Sequence, residues 1–344
     1  VSLGWNIDQE DFMQEVGIDA KLRLSYGSTG NQEGINNYGY LSLLSGGNDY
    51  GLESGISVSS FGNNTLTWEK ANQTNFGMDV AFFNRQLTFS LDMYKKKTNN
   101  LLYSMPIHAT SGMSSILTNI GSMENKGIEI ALGTDLTFGD FQWQSNFNIA
   151  TNKNKITQLI DNKGEPLSIG GNRALQVGKD IGAFYLFVQE GIYQYDGEVP
   201  QEQYERGVRA GDVKWRDKDG NNIINDNDRE VIGSSNPDFF GGWNNSFRYK
   251  NFQFDILTTF SYGNDVYAGW KPGVLGKLGD RFPILEEYYD NRWTGPGSTD
   301  RYPRALMGDT NNNRNSDRWL EDGSYFKIQA ATLSYNFDQK VLDR

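Results

Sequence analysis

The sequence has no cysteine and a single histidine, His108. Without thiols there is no disulfide staple, no thiolate nucleophile and no Cys-ligated zinc. One imidazole builds neither a His-based zinc site nor a Ser-His-Asp relay within the chain. Long apolar runs are missing too, so no transmembrane helix is encoded. Basic residues are outnumbered: 43 acidic against 32 basic side chains leave a formal charge of -11. That is the wrong sign for a phosphate backbone, and nucleic acid is excluded as a partner. Acidic outer loops instead suit cations.

What is present is a strand rhythm. Phe76, Met78, Val80 and Phe82 alternate with Gly77, Asp79 and Ala81; the chain turns at Asn84-Arg85, and Leu87, Phe89, Leu91 and Met93 alternate with Thr88, Ser90 and Asp92. The unit recurs from Ile128 to Phe138, around Gly139-Asp140 and on to Ile149, and again from Trp243 to Tyr249, around Lys250-Asn251 and on to Tyr262. Period two puts each apolar set on one face. The alternations run for ~9 to 11 residues, the length a tilted strand needs to cross a bilayer, against about five or six for soluble strands. Connections are short on one side and long and polar on the other, over residues 27–67, 97–125, 150–240 and 263–323. Short turns belong to the periplasm and long loops to the outside. The expected fold is therefore all-β, part of a large antiparallel transmembrane β-barrel with long extracellular loops, in the outer membrane of a Gram-negative bacterium. A mean hydropathy of -0.62 fits, because half of each barrel strand faces a wet lumen.

Crossings are expected at 19–29, 68–83, 86–98, 126–138, 141–152, 241–250, 252–263 and 324–337, with the alternating stretch 183–193 carried by a loop or belonging to an additional pair. Trp68, Tyr94, Tyr103, Trp243 and Tyr262 lie where interfacial girdles are expected. Eight strands could close a small barrel, but loops this large point to a bigger one. The N-terminus lacks a basic n-region and an apolar h-region. Residues 338–344 look like a periplasmic turn with no partner strand after it. The whole of 1–344 is thus expected to be one architectural unit, a barrel portion lacking its last strands.

Several ordered phrases carry a family resemblance: Leu22-Arg23-Leu24-Ser25-Tyr26-Gly27-Ser28-Thr29-Gly30-Asn31, Leu66-Thr67-Trp68-Glu69-Lys70, Tyr94-Lys95-Lys96-Lys97-Thr98, Asn119-Ile120-Gly121-Ser122-Met123-Glu124-Asn125-Lys126-Gly127, Gly211-Asp212-Val213-Lys214, Pro237-Asp238-Phe239, Arg292-Trp293-Thr294, Tyr302-Pro303-Arg304 and Trp319-Leu320-Glu321-Asp322-Gly323-Ser324-Tyr325-Phe326. Over nearly its whole length the chain resembles the C-terminal barrel portion of SusC/RagA-type TonB-dependent outer-membrane transporters. The resemblance implies a complete barrel of about 22 strands, of which this chain is part. It also implies a signal peptide, a plug and a TonB contact in N-terminal sequence not included here, a SusD-like surface lipoprotein on the long loops, and import of oligosaccharides or oligopeptides. Aromatics on the loops would then meet the lipoprotein. One alternative is a non-transporting SusC-like scaffold in a larger outer-membrane complex. Another is a soluble carbohydrate-binding β-protein.

The sharpest chemical motif runs from Asp217 to Asp228. As a twelve-residue calcium loop it offers Asp217, Asp219 and Asn221 at positions one, three and five, the Ile223 carbonyl at seven, Asn225 at nine and Asp228 at twelve, with apolar Ile224 at eight. The usual Gly at six is Asn222, which tolerates a left-handed turn. The usual Glu at twelve is Asp228. A structural Ca²⁺ is expected, and Mg²⁺ suits so many flexible oxygens less well; the bland reading is a solvated Asx-turn cluster. His108 is expected at the surface. Glu286-Glu287 and Asp322 define no acid pair, no nucleophile and base stand together, and no enzyme is expected. The run from Asn311 to Asp317 is expected to be a solvated loop.

Overall fold

The computed structural model describes residues 1–13, 17–160, 164–276 and 283–337. Nine strands form one antiparallel wall: β1 Ser2–Asn6, β2 Asp19–Asn31, β3 Glu69–Phe82, β4 Leu87–Asn99, β5 Gly121–Phe138, β6 Phe141–Leu159, β7 Phe239–Tyr249, β8 Phe252–Tyr262 and β9 Tyr325–Tyr335. Each pairs with its neighbour in chain order, and the two edge strands β1 and β9 do not pair with each other. The wall is an open arc of a larger barrel. All eight expected crossings are found, and β1 is a ninth that the sequence reading missed. Strands β2 to β6 outrun the expected length, reaching 19 residues in β6, while β7, β8 and β9 have 11 each. The expected periplasmic turn at 338–344 lies outside the described residues.

Register explains the alternation. Val80, Phe89, Leu132, Phe147 and Trp243 stand side by side on β3 to β7, as do Leu136, Trp143, Phe247, Phe254 and Leu333 on β5 to β9. Leu24, Phe76, Met93 and Ile128 make the row nearest the long loops. These side chains are exposed or half-buried, Leu132 at 40% and Leu333 at 72% exposure and Val80, Phe89 and Phe147 half-buried, an apolar belt too continuous for water but normal against lipid. From Ile128 to Phe138 the belt covers about 25 Å of height at ~45° tilt, the thickness of an outer-membrane apolar band.

The three short turns share one end and adopt left-handed conformations, at Phe83, Asn84 and Arg85, at Gly139 and at Lys250, as the right-handed twist of hairpins demands. Phe138, Phe141, Tyr249, Phe252 and Tyr335 form an aromatic rim at this end. The expected girdle residues fare less well. Tyr94 points to the opposite, inner face, over Gly127, where a Cβ would come within 2.4 Å of the tyrosine ring. Trp243 sits in the middle of the belt, opposite Phe147. Tyr103 packs against Ile120, Ile156, Leu159 and Leu175, where loop residues meet the wall. Tyr262 does end its strand, stacked on Phe239 at 5.1 Å.

At the other end, residues 164–238, 263–276 and 283–324 build a loop layer of short strands and helical turns. Residues 183–193 split into Ala183–Leu186 and Gln189–Ile192, both paired with other loop strands, so the stretch is loop-borne. Among the described residues nearly every deeply buried apolar side chain lies in the loops, including Leu186, Val213, Trp215, Tyr288 and Trp319; only Ala81, Ile156 and Leu159 lie on wall strands.

Candidate functional site

The motif 217–228 hangs between two pieces of loop core. On its N-terminal side Val213 and Trp215 are buried with Phe187 and Ile192, and Ile224 packs against them. On its C-terminal side the Tyr185 hydroxyl donates to the Asp226 carbonyl at 3.1 Å. Within this frame the carboxylates of Asp217, Asp219 and Asp228 converge, their oxygens within 4.8 Å of one another. Asp217 accepts from the backbone N–H groups of Gly220 at 2.8 Å and Asn222 at 2.6 Å. Asp228, wholly buried, accepts from Lys218 N–H at 3.0 Å and Asn225 N–H at 2.7 Å. Burial pushes the Asp217 carboxyl up, and the backbone donors of Asn222, Gly220 and Asn221 outweigh it and hold it below the usual carboxylate range.

The remaining expected donors are close by but turned to one another. The Asn221 amide donates to Asp219 at 2.9 Å while its oxygen accepts from Ile223 N–H at 2.7 Å. Asn225 donates to the Ile223 carbonyl at 3.0 Å and accepts from Asn227 N–H. Asn222 has φ of 60°, the left-handed turn that position six needs. Three carboxylates so close repel one another, and no lysine or arginine among the described residues pairs with any of them within 4.0 Å. The oxygen-only donor set suits a hard divalent cation.

The Asn-rich run is not a solvated loop. Asn312 and Ser316 are fully buried. Asn312 accepts from Val213 N–H at 2.7 Å and donates to Asp212 at 2.9 Å. Asp212 is gripped by Arg304 through two bonds of 2.8 and 3.0 Å. The run is a clasp that ties residues 211–213 to 304 and 312. Sequence reasoning missed it because a buried Asn and a solvated Asn look alike until their partners are known. Nearby, Arg318 has no carboxylate within 4.0 Å among the described residues. Burial pulls its pKa down to about 10.

Of the loop aromatics, Tyr288 and Trp319 are core residues, 1% exposed each, whereas Trp270 and Tyr289 stand 61% and 62% exposed. Only the exposed ones are available to a ligand or partner. His108 is exposed and caps a helical turn through Thr110. Glu287 accepts from Tyr302 at 2.6 Å and Arg301 at 3.2 Å, and Asp322 accepts from Ser324 N–H. Glu287 and Asp322 hold local structure.

The inner face of the wall is polar. Arg23 grips Asp79 at 2.7 Å and Asp92 at 3.0 Å, and Ser90 donates to Asp79 at 2.8 Å. Gly77 lies beneath the guanidinium, where a Cβ would approach it to 2.6 Å. Toward the loops this face holds a pocket of about 440 Å³ lined by Leu101, Tyr103, Ile120, Met123, Ile156 and Lys96 among others.

A family model described as the β-barrel of TonB-dependent receptor-like proteins matches residues 1–342. A TonB-dependent receptor of Formosa agariphila is 32% identical over all of this chain and 35% of its own length. The TonB-dependent receptor SusC of Bacteroides thetaiotaomicron is 28% identical over 98% of this chain and 34% of its own length. The chain thus spans about a third of the length of the curated relatives it matches. Among solved structures the RagAB peptide transporter superposes with a TM-score of 0.83 over all of this chain and 37% of that one, at 24% identity, a likeness of fold.

Proposed function

The chain belongs to the TonB-dependent receptor-like β-barrel family, and from that premise we propose that it supplies barrel wall and extracellular loops to an energised outer-membrane importer. Its work is binding and enclosure. The pull that opens the channel would reach it from TonB through a plug supplied by the rest of the protein. A SusD-like surface lipoprotein would close the loop end, where Trp270 and Tyr289 are exposed. The substrates would be oligosaccharides or oligopeptides, which the polar inner face could pass without holding. The observation that carries this reading is a wall with an apolar outer belt, a polar inner face and every large loop at one end.

The test is deletion of the complete gene, followed by growth on defined glycans and peptides as sole nutrients, with detergent extraction of the wild-type protein and its companions. Loss of growth on one nutrient class, with a lipoprotein co-purifying, supports import. Unimpaired growth with the lipoprotein still attached favours the docking scaffold. Solubility without detergent would point to a carbohydrate-binding β-protein.

We also propose that Asp217, Asp219 and Asp228 hold a structural Ca²⁺, joined by the oxygens of Asn221, Ile223 and Asn225 after these release their turn partners. What supports it is the convergence of three unpaired carboxylates on a loop with the left-handed sixth residue. Terbium luminescence of the complete receptor, displaced by Ca²⁺ and abolished in Asp217→Asn/Asp228→Asn, is the expected result; luminescence unchanged in that variant would count against it.

A further inference from the structure

Just beyond the last apolar row, on the same outward face, the wall changes chemistry. The next row in register reads Tyr26, Thr74, Lys95, Lys126 and Lys153 across β2 to β6. The row above it reads Ser28, Asn72, Lys97, Glu124 and Lys155. Period two fixes the facing: Lys95 and Lys97 follow Leu91 and Met93, Lys126 precedes Ile128, and Lys153 and Lys155 follow Ile149. All five lysines are exposed.

The patch is unbalanced. Glu124 is its one acid, bonded to Lys126 at 2.7 Å and Lys95 at 3.0 Å. Lys97, Lys153 and Lys155 have no carboxylate within 4.0 Å among the described residues. Five lysines less one glutamate leave four net positive charges, in a chain whose sum is -11. Neighbouring strands lie about 4.8 Å apart and successive outward rows about 7 Å, and like charges directly opposite across strands are destabilising. Tyr26, Thr74, Asn72 and Ser28 put hydroxyl and amide groups beside the cations. On β7 and β8 the apolar row below continues through Phe239 and Tyr262, whereas all five lysines stand on β4 to β6, so the basic patch belongs to one sector.

Solvent exposure alone does not call for five lysines in register against an apolar belt. A layer of fixed anions at headgroup depth does, since lysines near an anionic membrane surface gain about 1 kcal/mol each. We propose that this sector binds the phosphate groups of an anionic glycolipid in the outer leaflet, its acyl chains lying on the row of Leu24, Phe76, Met93 and Ile128 and its sugars against Tyr26, Ser28, Asn72 and Thr74. The inference rests on the reading that the long-loop end is outermost.

The experiment uses the complete receptor from outer membranes, wild type and Lys97→Gln/Lys153→Gln/Lys155→Gln, incorporated in neutral-lipid nanodiscs. Binding of phosphorylated lipid A, dephosphorylated lipid A and inorganic phosphate is measured. The wild type should retain phosphorylated lipid A about a hundredfold more strongly than the variant, from ~1 kcal/mol per lysine, with dephosphorylated lipid A and inorganic phosphate both poor competitors. Equal retention by the variant, or equal binding of dephosphorylated lipid, would overturn the proposal. Displacement by inorganic phosphate would overturn it too, in favour of a free-anion site. In intact cells a Lys153→Cys receptor, with any cysteine outside residues 1–344 replaced by serine, should react with an impermeant thiol reagent. If it does, a failed lipid experiment sinks only the lipid site; if labelling needs a permeabilised outer membrane, the orientation itself is wrong and the lipid site falls with it.

Discussion

The wall and the loop layer invert each other's burial. Wall strands expose Leu24, Phe76, Leu132 and Phe254 on one face and pair Arg23 with Asp79 and Asp92 on the other; the loops bury Leu186, Val213, Tyr288 and Trp319 as any soluble domain would. Two solvents explain the inversion. Where lipid is the solvent, apolar exposure costs nothing and backbone hydrogen bonds must close within the sheet. Where water is the solvent, long connections stay ordered only by burying apolar side chains and pairing polar ones. The loop layer is therefore a small aqueous protein carried on a membrane wall, and each part should fail in its own way.

The largest effect should come from emptying the loop core. Trp319→Ala removes a side chain packed with Leu275, Tyr288 and Tyr302 whose indole donates to the Arg314 carbonyl at 3.0 Å, at a cost of about 3–5 kcal/mol. Limited proteolysis should then cut within the loop stretches 164–238 and 263–324 while the barrel keeps its folded mobility on unheated gels. The converse break is Phe147→Arg, in the middle of the lipid belt, expected to cost ~2–4 kcal/mol and to lower assembled protein, against less than ~1 for the adjacent lumenal Asn146→Arg; urea unfolding in lipid vesicles measures both.

Smaller is the contribution expected of calcium. At ten times a dissociation constant in the extracellular range, Ca²⁺ adds about 1.4 kcal/mol to the loop layer. Chelation should speed cleavage near 217–228 by about tenfold without touching the wall. Smallest is Asp317→Asn. Burial raises the Asp317 carboxyl, with the Gln189 N–H, Arg318 and Arg216 opposing. A raised folded pKa means that stability is fully present below the usual carboxylate range and is lost as pH rises through the folded pKa. The substitution should slightly slow loop proteolysis at neutral pH and have no effect in acid.

The same inversion decides what was legible in the sequence. Phe141, Trp143, Phe147 and Ile149 announce a strand because one residue in two must meet lipid, and that rule needs no knowledge of partners. The five-residue β1 went unseen because Leu3 and Trp5 are too short a run to count as periodicity. The loop layer follows no period. Its organisation rests on single long-range pairs such as Asp212 with Arg304, whose spacing of 92 residues leaves no local trace. The motif 217–228 was visible because its oxygen-bearing residues fall within twelve positions. Asp217, Asp219 and Asp228 do come together, but the polar atoms of Asn221, Ile223 and Asn225 are engaged in turn hydrogen bonds among themselves and with Asp219 and Asn227.

The central claim is that adjacent residues of one strand meet different solvents. Residues 1–344 contain no cysteine, so once any cysteine elsewhere in the complete receptor is replaced by serine, single Cys substitutions at Leu132, Phe147, Ser90 and Asn146 can each carry one fluorophore in lipid vesicles. Lipid-borne quenchers should darken the labels at 132 and 147, and aqueous iodide those at 90 and 146. Quenching that ignores this alternation, or labels at 132 and 147 that answer only to iodide, would contradict the account.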